Sequence, residues 1–218
     1  YTYHRDDNPT VRKVEQLLAA MENAEDCIVC TSGMAACTLV YLTYLSAGDH
    51  VILFHDIYGA HYKVSLILER MGINITWLDA DDSAGVKAHI RPETKMILLE
   101  TPSNPLCKVV DIAGIRKAAG REDILVCVDN TFATPYHTRP LELGADAQLE
   151  VVMRQAGRHH VKTLPDAWAD LLHTPEPPDT IAETLAGRMA ALASRCRTER
   201  DAGRYRHAVN GLVVVDYV

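Results

Sequence analysis

Three short polar segments contain the residues best suited to bind a charged ligand. The first, residues 31–36, reads Thr-Ser-Gly-Met-Ala-Ala and opens an apolar helical pattern. The first N–H groups of a helix have no partner within the helix, so this segment can bind a phosphate, and Gly33 would let the ligand approach the backbone closely. A serine-capped helix without a ligand has the same pattern, and the segment taken alone favours that simpler interpretation.

The second segment, residues 100–105, reads Glu-Thr-Pro-Ser-Asn-Pro and directly follows an apolar run. Its two prolines stiffen the loop, so that Glu100 and Asn104 would be presented in fixed positions. An ordinary turn between two elements would have much the same composition. The segment by itself therefore leaves a turn and a binding loop open.

The third segment, residues 129–131, reads Asp-Asn-Thr and follows the apolar run 124–128. An acid at the end of a buried strand needs a partner, because an unpaired buried charge is costly. That partner could be a nitrogen atom of a ligand or a basic side chain in a structural salt bridge. Asp129 is thus a candidate ligand contact.

The elements that position these segments follow from the hydrophobic pattern. Consecutive apolar residues predict buried strands at 50–54, 73–78, 95–99, 124–128 and 212–215. Asn8 followed by Pro9 predicts the start of one helix, Ser32 that of a second, and Asp111 and Gly120 bound a third. Alternation of strands and helices predicts an α/β fold with a mostly parallel sheet and helices on both faces. Ligands bind such sheets at the carboxyl ends of the strands, where these segments fall.

Composition narrows the classes of partner. The formal net charge is -7, from 22 basic and 29 acidic residues, and no basic stripe occurs before residue 150, which argues against a nucleic-acid partner. No apolar run is long enough to span a bilayer, so no membrane partner is expected. Most of the 6 cysteines lie within apolar runs, which is typical of buried thiols in a reducing compartment, and we expect a cytoplasmic protein.

No metal site is predicted from the spacing of possible ligands. Cys27 and Cys30 have a Cys-x-x-Cys spacing, but no helix start or second ligand pair accompanies them, which favours a buried strand. His137, His159 and His160 lack a carboxylate at metal-binding spacing, and we interpret them as solvent-facing residues or as residues behind a site.

Taken together, the three polar segments resemble, in their order and amino-acid sequence, those of the Cys/Met metabolism family of pyridoxal-phosphate (PLP) enzymes. This family includes cystathionine γ-lyase and methionine γ-lyase. The resemblance covers about the first 146 residues. Further matching segments lie at 3–5, 8–10, 47–50, 58–59, 132–135, 139–140 and 143–146. The resemblance implies the large domain of a fold-type-I PLP-dependent enzyme, with a mostly parallel seven-stranded sheet; we expect this chain to contain an incomplete form of that domain.

The same resemblance implies which residues hold the cofactor phosphate. Ser32, Gly33 and Met34 would bind it at the start of the helix. Tyr3 and Arg5 match the pair that reaches the phosphate from a neighbouring subunit. The resemblance therefore implies a homodimer or homotetramer with a shared active site.

Other matching residues would contact the cofactor ring. Tyr58 resembles the tyrosine that stacks on the ring and takes part in proton transfer. Asn104 matches the residue that contacts the ring hydroxyl, and Thr131 is a further cofactor-binding residue. Asp129 resembles the acid paired with the pyridine nitrogen, which keeps the ring an electron sink. Glu100 is implied as a residue behind the site.

The chain departs from the family pattern at the catalytic lysine. The family binds PLP covalently through a lysine in a Ser-x-Thr-Lys motif shortly after the segment matched at 143–146, and no such motif follows here. Arg154 falls near the expected position, but an arginine stays protonated and cannot take that role. Lys162, the one lysine beyond residue 146, is the remaining candidate.

We therefore divide the chain into a PLP-binding portion, residues 1–146, and a divergent tail, residues 147–218. Arginine replaces lysine almost completely in the tail, which suggests either a reading-frame shift or recombination near residue 147, or a degenerate pseudoenzyme. The implied function is a trans-sulfuration-type enzyme that carries out β or γ elimination or replacement on a small sulfur amino acid such as cystathionine, methionine, homocysteine or cysteine. The alternative is an inactive fragment that retains phosphate-binding and dimer contacts, and lyase and synthase both stay open.

Overall fold

The computed structural model describes residues 8–80, 82–152 and 212–217, in which helices and strands alternate. The first half contains α1 (Pro9–Glu22), β1 (Asp26–Cys30), α2 (Gly33–Tyr44), β2 (His50–Phe54), α3 (Ala60–Arg70), β3 (Asn74–Leu78) and α4 (Ser83–His89). The second contains β4 (Thr94–Glu100), α5 (Ile112–Ala119), β5 (Leu125–Asp129), α6 (Thr134–His137), a 3-10 helix (Pro140–Leu143), β6 (Ala147–Val152) and β7 (Leu212–Tyr217). The strands expected from apolar runs are confirmed to within two residues at each end.

In the described ranges, the strands form one sheet of seven, in the order β1-β7-β6-β5-β4-β2-β3. Each neighbouring pair is parallel, so the predicted α/β fold with a mostly parallel sheet is confirmed. β7 lies between β1 and β6, and both β6 and β7 come from the predicted tail. The division of the chain at residue 146 stays a prediction.

Helices cover both faces of the sheet, and the side-chain alternation of β2 shows how. Val51 and Leu53 belong to the core under α2 and α3, whereas Ile52 and Phe54 belong to the core under α4 and α5. All five residues of β2 are buried, which explains why its sequence is an uninterrupted apolar run after His50.

Helix caps account for the predicted helix starts. The Asn8 side chain accepts hydrogen bonds from the first turn of α1, with proline at its first position, and the Asp111 side chain caps α5. α5 ends at Gly120, whose φ of 62° lies in the left-handed region that favours glycine. Within the described ranges, no helix has the length and apolar character needed to cross a membrane.

Candidate cofactor site

A cavity of about 390 Å³ lies at the carboxyl edge of β4 and β5, beside the start of α2. Its lining consists of Ser32, Gly33, Met34, Cys37, Tyr58, Glu100, Asn104, Asp129, Thr131 and Phe132. The structure thus brings together every sequence-predicted cofactor-binding residue that it describes. Tyr3, Arg5 and Lys162, which complete the predicted site, lie outside the described residues.

The position of the cavity follows from the register of the sheet. Glu100 and Asp129 are the last residues of β4 and β5 and are register partners. The backbone N–H of Thr101 donates to the Asp129 carbonyl at 3.2 Å, so the two strands stay paired where the chain leaves the sheet. Both polar loops therefore begin at the same point of the sheet edge.

One end of the cavity is the start of α2. Ser32 is extended, with φ -163° and ψ 154°, and its Oγ accepts the N–H of Ala35 at 3.0 Å. The N–H of Ala36 donates to the Ser32 carbonyl at 3.0 Å, which begins the helical bonding. The N–H groups of Gly33 and Met34 precede that first bond, so they have no acceptor within the helix. Together with the helix dipole they favour a bound anion.

The Asp129 carboxylate also lines the cavity and is buried. Its Oδ1 accepts two hydrogen bonds from Thr131, from the backbone N–H at 3.1 Å and from the hydroxyl at 2.6 Å. Burial raises the pKa of Asp129, and the two hydrogen bonds from Thr131 oppose that shift. Within the described residues, the other oxygen, Oδ2, accepts no hydrogen bond, so a cationic N–H of a ligand would compensate the buried charge.

Glu100, expected behind the site, lines the cavity and also supports Tyr58. Its Oε2 accepts the backbone N–H of Tyr58 at 2.7 Å, which fixes the start of the loop before α3. Burial, and then the nearby charge of Asp129, raise the pKa of Glu100 to about 8. The Tyr58 side chain itself is half exposed and borders the cavity, so its ring is available to stack on a ligand.

The loop that carries Asn104 is held by hydrogen bonds on both sides of it. The N–H of Ser103 donates to the Lys108 carbonyl at 2.9 Å, and the N–H of Lys108 donates to the Ser103 hydroxyl at 3.0 Å. The Thr101 hydroxyl accepts the N–H of Val110 at 2.9 Å. The loop is therefore closed on itself, with Asn104 at the cavity.

Sequence reasoning missed two lining residues, Cys37 and Phe132. Cys37 follows Gly33 by four positions, so the helical repeat was a signal that both face the same side of α2. Phe132 directly follows the polar segment that ends at Thr131. A third residue, His61, packs behind Cys37 from α3, and no local pattern connects it with the site.

Comparison with known proteins identifies the family. The model of the Cys/Met metabolism PLP-dependent enzyme family matches residues 1–159. The chain belongs to this family. Among curated relatives, it is 42% identical over 160 residues to a probable cystathionine gamma-synthase from Herpetosiphon aurantiacus, and 42% identical over 160 residues to a cystathionine gamma-lyase from Bacillus subtilis (strain 168). Each match covers 73% of this chain.

A solved structure gives the same relationship. The crystal structure of cystathionine gamma-lyase from Lactobacillus plantarum complexed with L-serine matches with a TM-score of 0.63 and 42% sequence identity. The match covers 67% of this chain and 38% of that one. The chain spans 50% of the length of the Herpetosiphon relative and 42% of that of the Bacillus relative. The fold predicted from the resemblance, the fold-type-I large domain, is confirmed.

Pyridoxal 5′-phosphate is the cofactor of this family, and the chemistry of the cavity fits it. A phosphate requires donors without partners, which the start of α2 has. A protonated ring nitrogen requires a buried acceptor, which Asp129 is. An aromatic ring fits beside Tyr58.

Proposed function

We propose that this chain forms the PLP-binding part of a trans-sulfuration-type enzyme that acts at the β or γ carbon of a small sulfur amino acid. The observation that carries the proposal is the shared cavity, in which the buried Asp129 carboxylate faces the same space as the unpaired N–H groups that begin α2. The relatives named as cystathionine gamma-synthase and cystathionine gamma-lyase support the substrate class.

Each lining residue has a task in this proposal. The N–H groups of Gly33 and Met34 and the hydroxyl of Ser32 bind the phosphate, which fixes the cofactor at one end. Asp129 holds a proton on the ring nitrogen, and Thr131 orients its carboxylate through two hydrogen bonds. When bound, PLP withdraws electrons from the α carbon of the amino acid, which makes that carbon acidic.

Two further residues position the ring and move protons. Tyr58 would stack on the ring and exchange a proton with the substrate, and the hydrogen bond from its backbone N–H to Glu100 fixes the start of its loop. Asn104 would donate a side-chain N–H to the oxygen of the ring hydroxyl. Lys162 is the candidate for covalent attachment of the cofactor.

An inactive relative is the second candidate function, and the absence of a Ser-x-Thr-Lys motif after residue 146 favours it. Such a chain would still bind the phosphate and associate through the Tyr3 and Arg5 segment into a homodimer or homotetramer with a shared site. We propose a cytoplasmic location for either protein, supported by the buried thiols of Cys37 and Cys127, which form no disulfide.

The two candidates differ in what a reducing agent traps. The purified chain is titrated with PLP, its visible absorbance is followed, and the complex is treated with borohydride before peptide mapping. A trapped adduct on Lys162, lost in Lys162→Ala and kept in the exposed control Lys63→Ala, supports the enzyme. Bound PLP without an adduct supports the inactive relative. Absence of saturable PLP binding would overturn both.

A further inference from the structure

Three buried residues from three different elements meet beside the cofactor cavity. Cys37 comes from α2, His61 from α3 and Asp129 from the end of β5. One potential ligand atom of each residue lies within 4.8 Å of those of the other two. The proposed cofactor function uses Asp129 alone among them, which leaves the thiol and the imidazole without an assigned task.

The imidazole of His61 is oriented as in a metal ligand. Its Nδ1 lies 2.8 Å from the Tyr41 hydroxyl, and its Nε2 lies 3.6 Å from the Cys37 Sγ. In the tautomer that carries the proton on Nδ1 and donates it to the tyrosine oxygen, Nε2 has a free lone pair on the side of Cys37. A histidine that binds a metal through one nitrogen commonly donates its other N–H to such a partner, which fixes the ring.

The distance between the sulfur and the nitrogen agrees with a shared metal. Zn–S and Zn–N bonds of about 2.3 and 2.1 Å that meet at a tetrahedral angle place the two ligand atoms about 3.6 Å apart. The observed separation of Cys37 Sγ and His61 Nε2 is 3.6 Å, which is also the distance of a hydrogen bond between the thiol and the imidazole.

We propose that Cys37, His61 and Asp129 form a three-ligand site for Zn²⁺, with its fourth position open toward the cofactor cavity. Cys37 and Asp129 both line that cavity, which gives the ion a path of entry. Formation of the Zn–S bond releases the thiol proton of Cys37 to solvent. The thiolate and the Asp129 carboxylate together then neutralise the charge of the ion, and the imidazole completes the borderline-soft ligand set that zinc prefers.

The site makes zinc and the cofactor competitors, an inference that rests on the proposed function. Asp129 cannot coordinate a metal ion and at the same time hold the proton of a ring nitrogen. Zn²⁺ therefore inhibits cofactor loading, and PLP displaces Zn²⁺.

The metal site is tested with Cd²⁺, whose bond to a thiolate gives a charge-transfer absorption in the ultraviolet. The whole chain, free of PLP, is titrated with Cd²⁺ and the band is expected to saturate at one ion per chain. We expect Cys37→Ser to lose the band. The control, Cys107→Ser, removes an exposed thiol and should keep it. His61→Gln should weaken Cd²⁺ binding about tenfold or more. Far-ultraviolet circular dichroism identifies variants that do not fold. Asp129→Asn is also expected to weaken Cd²⁺ binding, and it tests the site independently of Cys37.

Absence of the band in the wild-type chain, or a band of full strength in folded Cys37→Ser, would overturn the metal site. Competition is measured separately, as the apparent Kd of PLP with and without Zn²⁺, and an unchanged Kd at saturating Zn²⁺ would overturn the sharing of Asp129. If the chain does not bind PLP at all, the proposed function fails, whereas the Cd²⁺ titration still decides the metal site.

Discussion

Glu100 and Asp129 are register partners on neighbouring parallel strands, and both carboxyl groups are buried at the wall of one cavity. Two buried negative charges disfavour each other, and the pKa of Glu100 rises to about 8 through burial and the charge of Asp129. Glu100 therefore holds a proton near pH 7, while the two hydrogen bonds from Thr131 stabilise the charged form of Asp129. The sheet thus places a neutral acid next to the one that we propose binds the cofactor.

Removal of the Asp129 charge is expected to lower the pKa of Glu100. In Asp129→Asn, the pKa of Glu100 falls from about 8 toward its ordinary value of 4.5, but stays above it, because burial is the larger cause of the shift. Carboxyl ¹³C chemical shifts of glutamate, followed over pH, measure the change. Asp82→Asn, on the exposed cap of α4, serves as the control. An unaltered Glu100 titration in Asp129→Asn would show that the two carboxyl groups do not interact.

Thr131 is expected to set how well Asp129 binds the cofactor. Thr131→Val removes the hydroxyl that donates to Asp129 Oδ1 at 2.6 Å and keeps the backbone donor at 3.1 Å. Loss of one hydrogen bond to a charged group is expected to weaken PLP binding by about tenfold. A PLP titration by visible absorbance measures the effect. Thr131→Ser, which keeps the hydroxyl, should bind as the wild type does, and equal affinities for all three chains would contradict the role.

The local parts of the fold were predictable because they depend on neighbouring residues. The apolar run at 50–54 predicted β2, since a strand covered on both faces has no polar alternation. Asn8, Ser32 and Asp111 predicted helix starts, since their side chains bond to the free N–H groups of the first turn.

Contacts between distant parts of the chain were not predictable in the same way. Cys37, His61 and Asp129 meet only because α2 and α3 pack on the sheet beside the end of β5. No spacing in the sequence encodes that meeting. The position of β7 between β1 and β6 likewise depends on the whole sheet, although its apolar run predicted a strand. The carboxyl ends of β4 and β5 were the exception, since parallel strands bring their ends together.

The burial of two acids, one in α1 and one in β6, predicts that the stability of the fold depends on pH. Glu22 and Glu150 are both buried, and burial together with Glu22 raises the pKa of Glu150 to about 8. The folded chain therefore keeps a proton that the unfolded chain releases near its ordinary value of 4.5. This contribution to stability is fully present below that value and is lost as the pH rises toward about 8.

In Glu150→Gln, the free energy of unfolding is expected to depend less on pH between these two values. The slope that one such group contributes is at most about 1.4 kcal/mol per pH unit. Urea unfolding at a series of pH values measures the slope for both chains. Glu69→Gln, on an exposed position of α3, is the matched control and should keep the wild-type slope. Parallel curves for Glu150→Gln and the wild type would contradict the prediction.

Asp146 is expected to be the most costly acid to remove from the loop before β6. Its Oδ2 accepts a hydrogen bond from Arg116 Nη1 at 2.9 Å and from the backbone N–H of Val126 at 2.9 Å. Both partners of the ion pair are largely buried, and Asp146→Ala leaves the Arg116 guanidinium with backbone carbonyls but no carboxylate. Loss of the charged partner of a buried pair costs about 3–5 kcal/mol in the free energy of unfolding.

Glu142→Ala is the control for that substitution, because it breaks the exposed ion pair with Arg139, in which each side chain is 47% exposed. Exposed pairs of this kind contribute less than about 1 kcal/mol. Urea unfolding of the two variants beside the wild type separates the two cases. Similar losses of unfolding free energy in both variants would mean that the Arg116–Asp146 pair stabilises the fold no more than an exposed ion pair does. A much larger loss in Asp146→Ala would place a main stabilising contact of the sheet at residue 146, directly before the predicted divergent tail.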